Sequence, residues 1–362
     1  MRGIITFNMI YTLEELRAIP IFFIVGKGRS GTTLLSTILD SHPNVASATE
    51  SRFLLIVWQK YKYLKSWNTE NTAQFIEDVK RDILVNYMWE FDNDLYENLQ
   101  QLPREAQIQD LIKLVYIHRK STFPKAKITY IIDKNPKYTI FVEKLITIFP
   151  DAKFFRLIRD PRDNVTSQIK YSKASVGAIA NKWRNYNQTL DSFGKKYPTQ
   201  FMTLKFEDLI LNKELFFQKF EEYSGLDSLV NFEKERLKIK DQFEEKFSDR
   251  LKVQHQETVQ PLNPKKIGHY KQKLSEKQIE VIESYSFPYA EKWGYKRGLS
   301  PMKQPFLKSL RIQLNYLTLL QAHRVYYGLP FSVLLGSRNF ILNNFQKNKR
   351  EKLHEVISKN GN

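Results

Sequence analysis

The sequence predicts an α/β fold, a parallel sheet flanked by helices. Two observations carry that expectation. Short apolar runs at 21–25, 128–132, 153–158 and 201–205 read as buried strands, with helical patterns filling most of the chain between them. The first of these runs also breaks at glycines and resumes as an apolar helix through Leu34, Leu35, Ile38 and Leu39. A parallel sheet of this kind binds phosphates at the C-terminal ends of its strands.

The first strand, Ile21–Val25, leads into Gly26, four further residues, Gly31, and then Thr32-Thr33. A Gly-rich strand-to-helix turn points successive backbone N–H groups outward, and the helix dipole adds positive character there. The turn is therefore P-loop-like. An ATP-type loop wants Lys where Thr32 stands. Here the cation is Arg29, two residues before the second glycine. A phosphate cradle without the nucleotidase Lys argues for a different donor. Gly-rich turns are common, so the specific signal is Arg29, Ser30, Thr32 and Thr33 packed around Gly31.

A second short apolar segment, Asn44–Ala48, precedes Thr49 and Glu50. Residues 51–125 lack strand signals and read as a helical insertion. Its aromatics, Trp58, Tyr61, Tyr63, Trp67, Tyr87, Trp89 and Phe91, are expected to be mostly helix core. Lys134 follows the strand at 128–132 and faces the phosphate end of the sheet. The strand at 153–158 is closed by Arg159, and Pro161 suits the first turn of a helix. Ser167 falls about two turns into that helix. Arg159 and Ser167 can share a ligand if the helix folds back over the strand end, and the pair suits a phosphate monoester. On these residues alone, a capped loop braced by Arg–Asp pairs stands equal. Residues 213–250 read as charge-dense helices. Residues 250–272 read as a loop, with Pro261, Pro264 and Gly268.

The chain has 362 residues, 42% of them hydrophobic, enough for one large domain or two smaller ones. It has no cysteine, which excludes disulfides, thiolate metal sites and cysteine nucleophiles and fits a reducing compartment. Glu14, Glu15 and Arg17 interrupt the N-terminal apolar residues, so no signal peptide is expected, nor does any apolar run reach spanning length. A cytoplasmic location is the resulting expectation. Net charge is +18, which favours anionic ligands or surfaces, and no nucleic-acid-binding signature is present.

Together the two phosphate-type segments resemble the sulfotransferases that use 3′-phosphoadenosine 5′-phosphosulfate (PAPS). They are most similar to the branch containing tyrosylprotein sulfotransferases and bacterial relatives. The carrying motifs are Arg29-Ser-Gly-Thr-Thr-Leu34, Asp40-Ser-His-Pro43, Thr49-Glu-Ser-Arg52, Asp133-Lys-Asn-Pro136, Trp183 and Lys205-Phe-Glu-Asp-Leu209. The resemblance spans roughly residues 20 to 297, in the right order. It implies a cradle of Lys27, Gly28, Arg29, Ser30, Gly31, Thr32 and Thr33 for the 5′-phosphosulfate, and Arg159 and Ser167 for the 3′-phosphate. It also implies Glu50 as the catalytic carboxylate, Lys134 at the transferring sulfuryl, and Arg29 at the charge developing on the bridging oxygen. PAP is the implied product, and no metal is implied. A helix N-terminal Glu50, capped by Thr49, is the competing structural role. Arg52 suits acceptor, donor or an ion pair, and His42 suits a helix-ending turn better than a base. Where the branch places a Lys in its lid turn stands Gln260, with Lys265 and Lys266 as the nearest substitutes.

The resulting domain expectation is 1–300 with the insertion at 51–125, followed by a basic helical extension at 301–362. That extension holds ten Lys and Arg against two Glu, so it supplies +8 of the +18. Helices are expected around Phe306–Tyr327 and Val333–Phe345, as a hairpin on the domain's own core. Peripheral contact with an anionic membrane at the inner surface is the alternative. The partner expected is a hydroxyl-bearing acceptor, carbohydrate, lipid or small molecule, or an amine. Oligomerisation is compatible with the pattern. Two other functions compete with sulfuryl transfer. A kinase-like phosphotransferase lacks its lysine here. A non-catalytic anion binder would have no use for Glu50 and Lys134.

Overall fold

The computed structural model describes residues 11–82, 85–86, 89–238, 258, 260–299 and 304–340. They pack as two compact units, one from 1–18, 51–120 and 322–362, the other from 19–50 and 121–321.

The second unit holds a five-stranded sheet in the order β2-β3-β1-β4-β5. Its strands are β1 (Ile21–Val25), β2 (Val45–Thr49), β3 (Tyr130–Lys134), β4 (Lys153–Ile158) and β5 (Phe201–Lys205). Every pairing is parallel. All of β1 is buried, as expected for a strand covered on both faces. Strands β1, β4 and β5 keep the limits expected from their apolar runs. The third begins two residues later than its run, because Thr129 and Tyr130 N–H both donate to the Asn44 carbonyl before the ladder starts. It then runs on through Asp133 and Lys134, whose charges are accommodated by Tyr138 OH (2.9 Å) and Glu50 (2.6 Å). The segment after Asn44 is a full strand. Its small residues let a helix approach closely, with Ser47 Oγ 2.8 Å from Ser36 Oγ.

Four helices of this unit matter below, α1 (Thr32–Asp40), α2 (Pro161–Ile169), α3 (Val176–Lys196) and α4 (Glu276–Ser286), as does α5 (Phe306–Tyr326), which belongs to it up to Gln321. Leu35, Ile38 and Leu39 of α1 join Phe22, Ile24, Ile132, Phe155 and Leu157 of the sheet in one core cluster. Pro161 opens α2 as its φ favours, and the Asp160 carboxylate accepts from Arg162 N–H at 2.8 Å. Charge-dense helices occupy Lys213–Ser224 and Leu229–Lys238, and 3₁₀ turns occupy Pro264–Lys266 and His269–Gln272. Residues 239–257 and 259 lie outside the described residues.

The first unit is helical. Phe53–Tyr61, Thr69–Arg81, Leu95–Gln100 and Ile108–Ile117 surround an aromatic core of Phe53, Tyr61, Trp67, Phe75, Trp89 and Tyr116. Tyr61, Trp67 and Trp89 are thus core, whereas Tyr63 is exposed and Tyr87 lies outside the described residues. Arg52 has φ 56° and places its guanidinium 5.6 Å from the Tyr327 ring centroid. A buried ion pair joins Asp82 to Arg338 at 3.1 Å.

Helix α5 packs along one side only. Gln313 accepts from Asn181 and Asn185 at 3.1 Å each, and Ile312 joins an apolar cluster with Ile179 and Tyr285. Leu307, Leu314 and Leu317 face outward and are exposed. Residues 331–340 are helical, and 341–362, including the end of the second expected tail helix, lie outside the described residues.

Candidate functional site

The site forms at the C-terminal ends of β1, β2, β3 and β4. After β1 the chain turns through Gly26 (φ 128°), Arg29 (φ 71°) and Gly31 (φ 91°) into α1. Gly31 has a specific reason to be glycine. A Cβ there would lie 2.3 Å from the Phe206 ring, in a backbone conformation that L-residues rarely adopt. Thr139 pins the loop's start, accepting from Gly26 N–H at 3.0 Å and donating to Gly26 O at 3.2 Å.

The 3′-phosphate candidates from β4 and α2 close on this loop. Arg29 Nε donates to Ser167 Oγ at 3.0 Å, and Arg159 Nη1 donates to the Arg29 carbonyl at 3.3 Å. Arg29, Arg159 and Ser167, far apart in sequence, therefore interlock. Arg159 lies 4.4 Å over the Phe206 ring, and Trp183 Nε1 donates to its carbonyl at 3.0 Å. The lid segment meets the same residue, since Arg159 Nη2 donates to Lys266 O at 2.6 Å. Asp163 of α2 accepts from Gly268 and Tyr270 N–H at 2.7 and 2.9 Å, and so holds that segment in place. Gln260 contributes its carbonyl, to Arg236 at 2.9 Å.

Across the loop, Lys134 at the end of β3 donates to Glu50 Oε1 at 2.6 Å and to Thr33 Oγ1 at 3.2 Å. Lys134 is 2% exposed in its side chain, Glu50 50%. The pair thus offers a buried cation and an accessible carboxylate. Glu50 follows β2 with φ 49°, and its N–H donates to Lys134 O at 3.0 Å. The competing role fails on geometry. The next helix starts at Phe53 with Arg52 at its N-cap, and Thr49 ends the strand. Arg29 and Glu50 are two of four non-glycine residues with positive φ among the described residues. Such conformations cost about 1–3 kcal/mol and concentrate at functional sites.

The cradle's cations differ in setting: Asp163, Glu207 and Asp160 face Arg159, whereas among the described residues no carboxylate acts on Lys27. Lys27 is buried, and its pKa falls to about 7 through burial and repulsion by Lys182 and Arg29. Its ammonium finds a neutral partner, Gln168 Oε1, at 3.2 Å. Burial also pulls Lys182 and Arg159 below their ordinary values. Arg159 Nε and Asn164 Oδ1 are buried without a hydrogen-bond partner. Asn164 Nδ2 donates to Gly28 O (2.9 Å) and Ser30 Oγ (3.0 Å), tying α2 to the loop. Buried cations and an unsatisfied guanidinium nitrogen fit an anionic ligand.

The structure thus gathers Lys27 to Thr33, Glu50, Lys134, Arg159 and Ser167 in one unit. His42 has a structural setting, accepting from Asn44 N–H at 3.1 Å and packing 4.3 Å from the Phe232 ring. Arg52 belongs to the other unit. Sequence reasoning missed Thr139, Asn164, Gln168 and Lys182. Asn164 and Gln168 lie on the helix that carries Ser167, one three residues before it and the other four residues beyond Asn164, and the spacing of Asn164 from Ser167 was the available signal. Nothing in the sequence marks Thr139. Among the described residues no group of three or more His, Asp or Glu could hold a metal ion.

A parallel sheet with a glycine loop, an interlocked Arg–Ser–Arg set and a Lys–Glu pair is an arrangement of the P-loop-like class. The sulfotransferase family matches residues 20–229, and the chain belongs to that family. An omega-hydroxy-beta-dihydromenaquinone-9 sulfotransferase of Mycobacterium bovis is 26% identical over 258 residues, covering 59% of this chain and 64% of its own length. Protein-tyrosine sulfotransferase 1 of Danio rerio is 26% identical over 208 residues, covering 54% and 50%. The chain thus spans half to two-thirds of the length of these relatives. Among solved structures, the sulfotransferase domain of the Synechococcus PCC 7002 olefin synthase aligns with TM-score 0.47 and 18% identity, covering 76% of this chain and 95% of that one.

Proposed function

We propose that this protein transfers the sulfuryl group of PAPS to an acceptor hydroxyl. The observation that carries the reading is the Lys134–Glu50 contact of 2.6 Å beside the Arg29 loop. PAPS supplies a sulfuryl group on a phosphate leaving group. Residues Lys27 to Thr33 hold the 5′ end, and Arg159 with Ser167 holds the 3′-phosphate, while Arg29 bridges the two. Glu50 takes the acceptor's proton as the acceptor oxygen bonds to sulfur. Lys134 and Arg29 face the negative charge that builds as the sulfur–phosphate oxygen bond breaks. The absence of a Walker lysine at Thr32 weighs against a kinase.

The acceptor in this reading is a lipid, carbohydrate or small-molecule hydroxyl. A relative named for a menaquinone-derived substrate favours the lipid. Among the described residues no helix is long and apolar enough to cross a membrane. A lipid acceptor would then be met from the bilayer surface, and α5 offers an exposed leucine face for that contact. A cytoplasmic enzyme, peripheral at the inner membrane surface, follows from the same reading.

The test is a comparison of donors. PAP and PAPS at a hundredfold their dissociation constants should each stabilise the fold by about 2.7 kcal/mol, and ATP far less. PAPS with a panel of lipids, glycans and phenols should give sulfated product by mass. Equal thermal shifts from ATP and PAP, or no product from any acceptor class, would overturn the reading.

A further inference from the structure

A cavity of about 360 Å³ opens between α3, α4 and α5, and it shares no lining residue with the donor cradle. Asn181 and Arg184 line it from α3, Ser284 and Tyr285 from α4, and Phe306, Ser309, Leu310 and Gln313 from α5. Its volume falls within the range of small-molecule sites. Among the described residues no carboxylate lines it. Arg184 Nε is nevertheless buried and has no hydrogen-bond partner. Burial lowers the pKa of this guanidinium, and only the Tyr285 hydroxyl acts in the opposite direction.

The guanidinium is also held in place. Arg184 Nη2 donates to Asn181 Oδ1 at 2.7 Å, and Asn181 Nδ2 donates to Gln313 Oε1 at 3.1 Å. Asn185 Nδ2 donates to the same oxygen at 3.1 Å, which fixes Gln313 from a second side. Tyr285 OH and Ser309 Oγ lie 3.3 Å apart, so the two hydroxyls bond each other and retain further capacity. A cation oriented by a relay of amides, with one nitrogen buried and unpartnered and no carboxylate among the described lining residues, is arranged for an oxyanion. Phe306 and Leu310 supply an apolar wall, both exposed to solvent. Polar head and apolar wall together select an amphiphile.

We infer that this cavity is a second ligand site, taking the oxyanion head of an amphiphilic molecule on Arg184 and its apolar body on Phe306 and Leu310. The chemistry is that of an alkyl phosphate, whether a membrane lipid or a free metabolite presents it. The inference does not depend on the donor assignment.

Hexyl phosphate is the probe, titrated calorimetrically into the full chain, with hexanol and inorganic phosphate as controls. Hexyl phosphate should bind saturably and at least tenfold more tightly than either control. Arg184→Met should weaken it at least tenfold, and Arg29→Ala, in the donor loop, should leave it unchanged. Phe306→Ser alters an exposed residue, and should weaken hexyl phosphate while sparing inorganic phosphate. Binding that is absent, or lost in Arg29→Ala and kept in Arg184→Met, overturns the proposal. Should Arg184→Met fail to fold, unchanged hexyl phosphate affinity in Phe306→Ser overturns it. A lipid source predicts that hexyl phosphate releases the protein from phosphatidic acid vesicles, and a free source that it does not.

Discussion

Glu50 and Lys134 carry the sharpest expectations at the scale of single residues. Glu50→Gln keeps nearly the same shape but cannot take a proton, and should lower turnover by about 10² to 10⁴ while leaving PAP affinity near normal. Lys134→Met should lower turnover too, but an acceptor with an acidic hydroxyl should rescue only Glu50→Gln. Rates plotted against acceptor pKa test this, and a near wild-type rate for Glu50→Gln with a weakly acidic alcohol would rule Glu50 out as the base. Lys27 makes a pH prediction. Its folded value is about 7 against the usual 10.5, so between these the unfolded chain binds the extra proton. Its contribution to stability therefore rises with pH from about 7 to 10.5 and is flat below. An anion in the cradle should restore the charge. PAP binding at pH 8 should then take up a proton, seen as a buffer-dependent heat that disappears in Lys27→Met. A heat independent of buffer would refute it. The residue types of this cluster were legible because Arg29, Glu50, Lys134 and Arg159 sit at or just past strand ends, with Ser167 on the helix after Arg159. Asn164 was not, since a lone Asn in a helix ordinarily faces solvent, yet it is fully buried against the loop.

Among the secondary-structure elements, the glycine loop depends on β5 and the residue after it. Gly31→Ala would put a methyl group 2.3 Å from Phe206, in a conformation with φ 91°. The backbone conformation alone should cost about 1–3 kcal/mol, and displacement of Phe206 should disturb Arg159 above it. Lower thermal stability together with weaker PAP binding is the expected result in melting and calorimetry. Unchanged values in both would mean the loop tolerates a Cβ. Strands β1 and β4 could be read from apolar runs because burial on both faces leaves no polar alternation, and β5, a half-buried edge strand, from its short apolar run alone. The full extent of β3 could not, because its last residues are charged and Glu50, the partner of Lys134, lies far along the chain.

The whole molecule raises the question of surface. Residues 298–350 contain no Asp or Glu, while Lys308 and Arg311 flank the exposed leucines of α5. An apolar face bordered by cations suits an anionic bilayer. Vesicles containing phosphatidylglycerol should capture the protein, and added salt should release it. Leu314→Gln with Leu317→Gln should reduce capture without lowering the melting temperature, since both side chains are exposed. Equal capture by neutral vesicles, or no change in the double variant, would remove the membrane role. The sequence displayed the tail's charge and helical period. It did not display which face packs, because that depends on Asn181, Asn185 and Tyr285 meeting the helix from more than a hundred residues away in two of the three cases.

The central place of β1 also governs how the chain can fold. Its neighbours in the sheet are β3 and β4, which begin at Tyr130 and Lys153. No strand that emerges earlier pairs with it. On the ribosome its apolar side chains must wait for more than a hundred further residues before either edge is covered. Non-local parallel pairing of this kind is slow to form and exposes unpaired edges meanwhile. Refolding from denaturant should therefore be slow and prone to aggregation as concentration rises, whatever the stability of the finished protein.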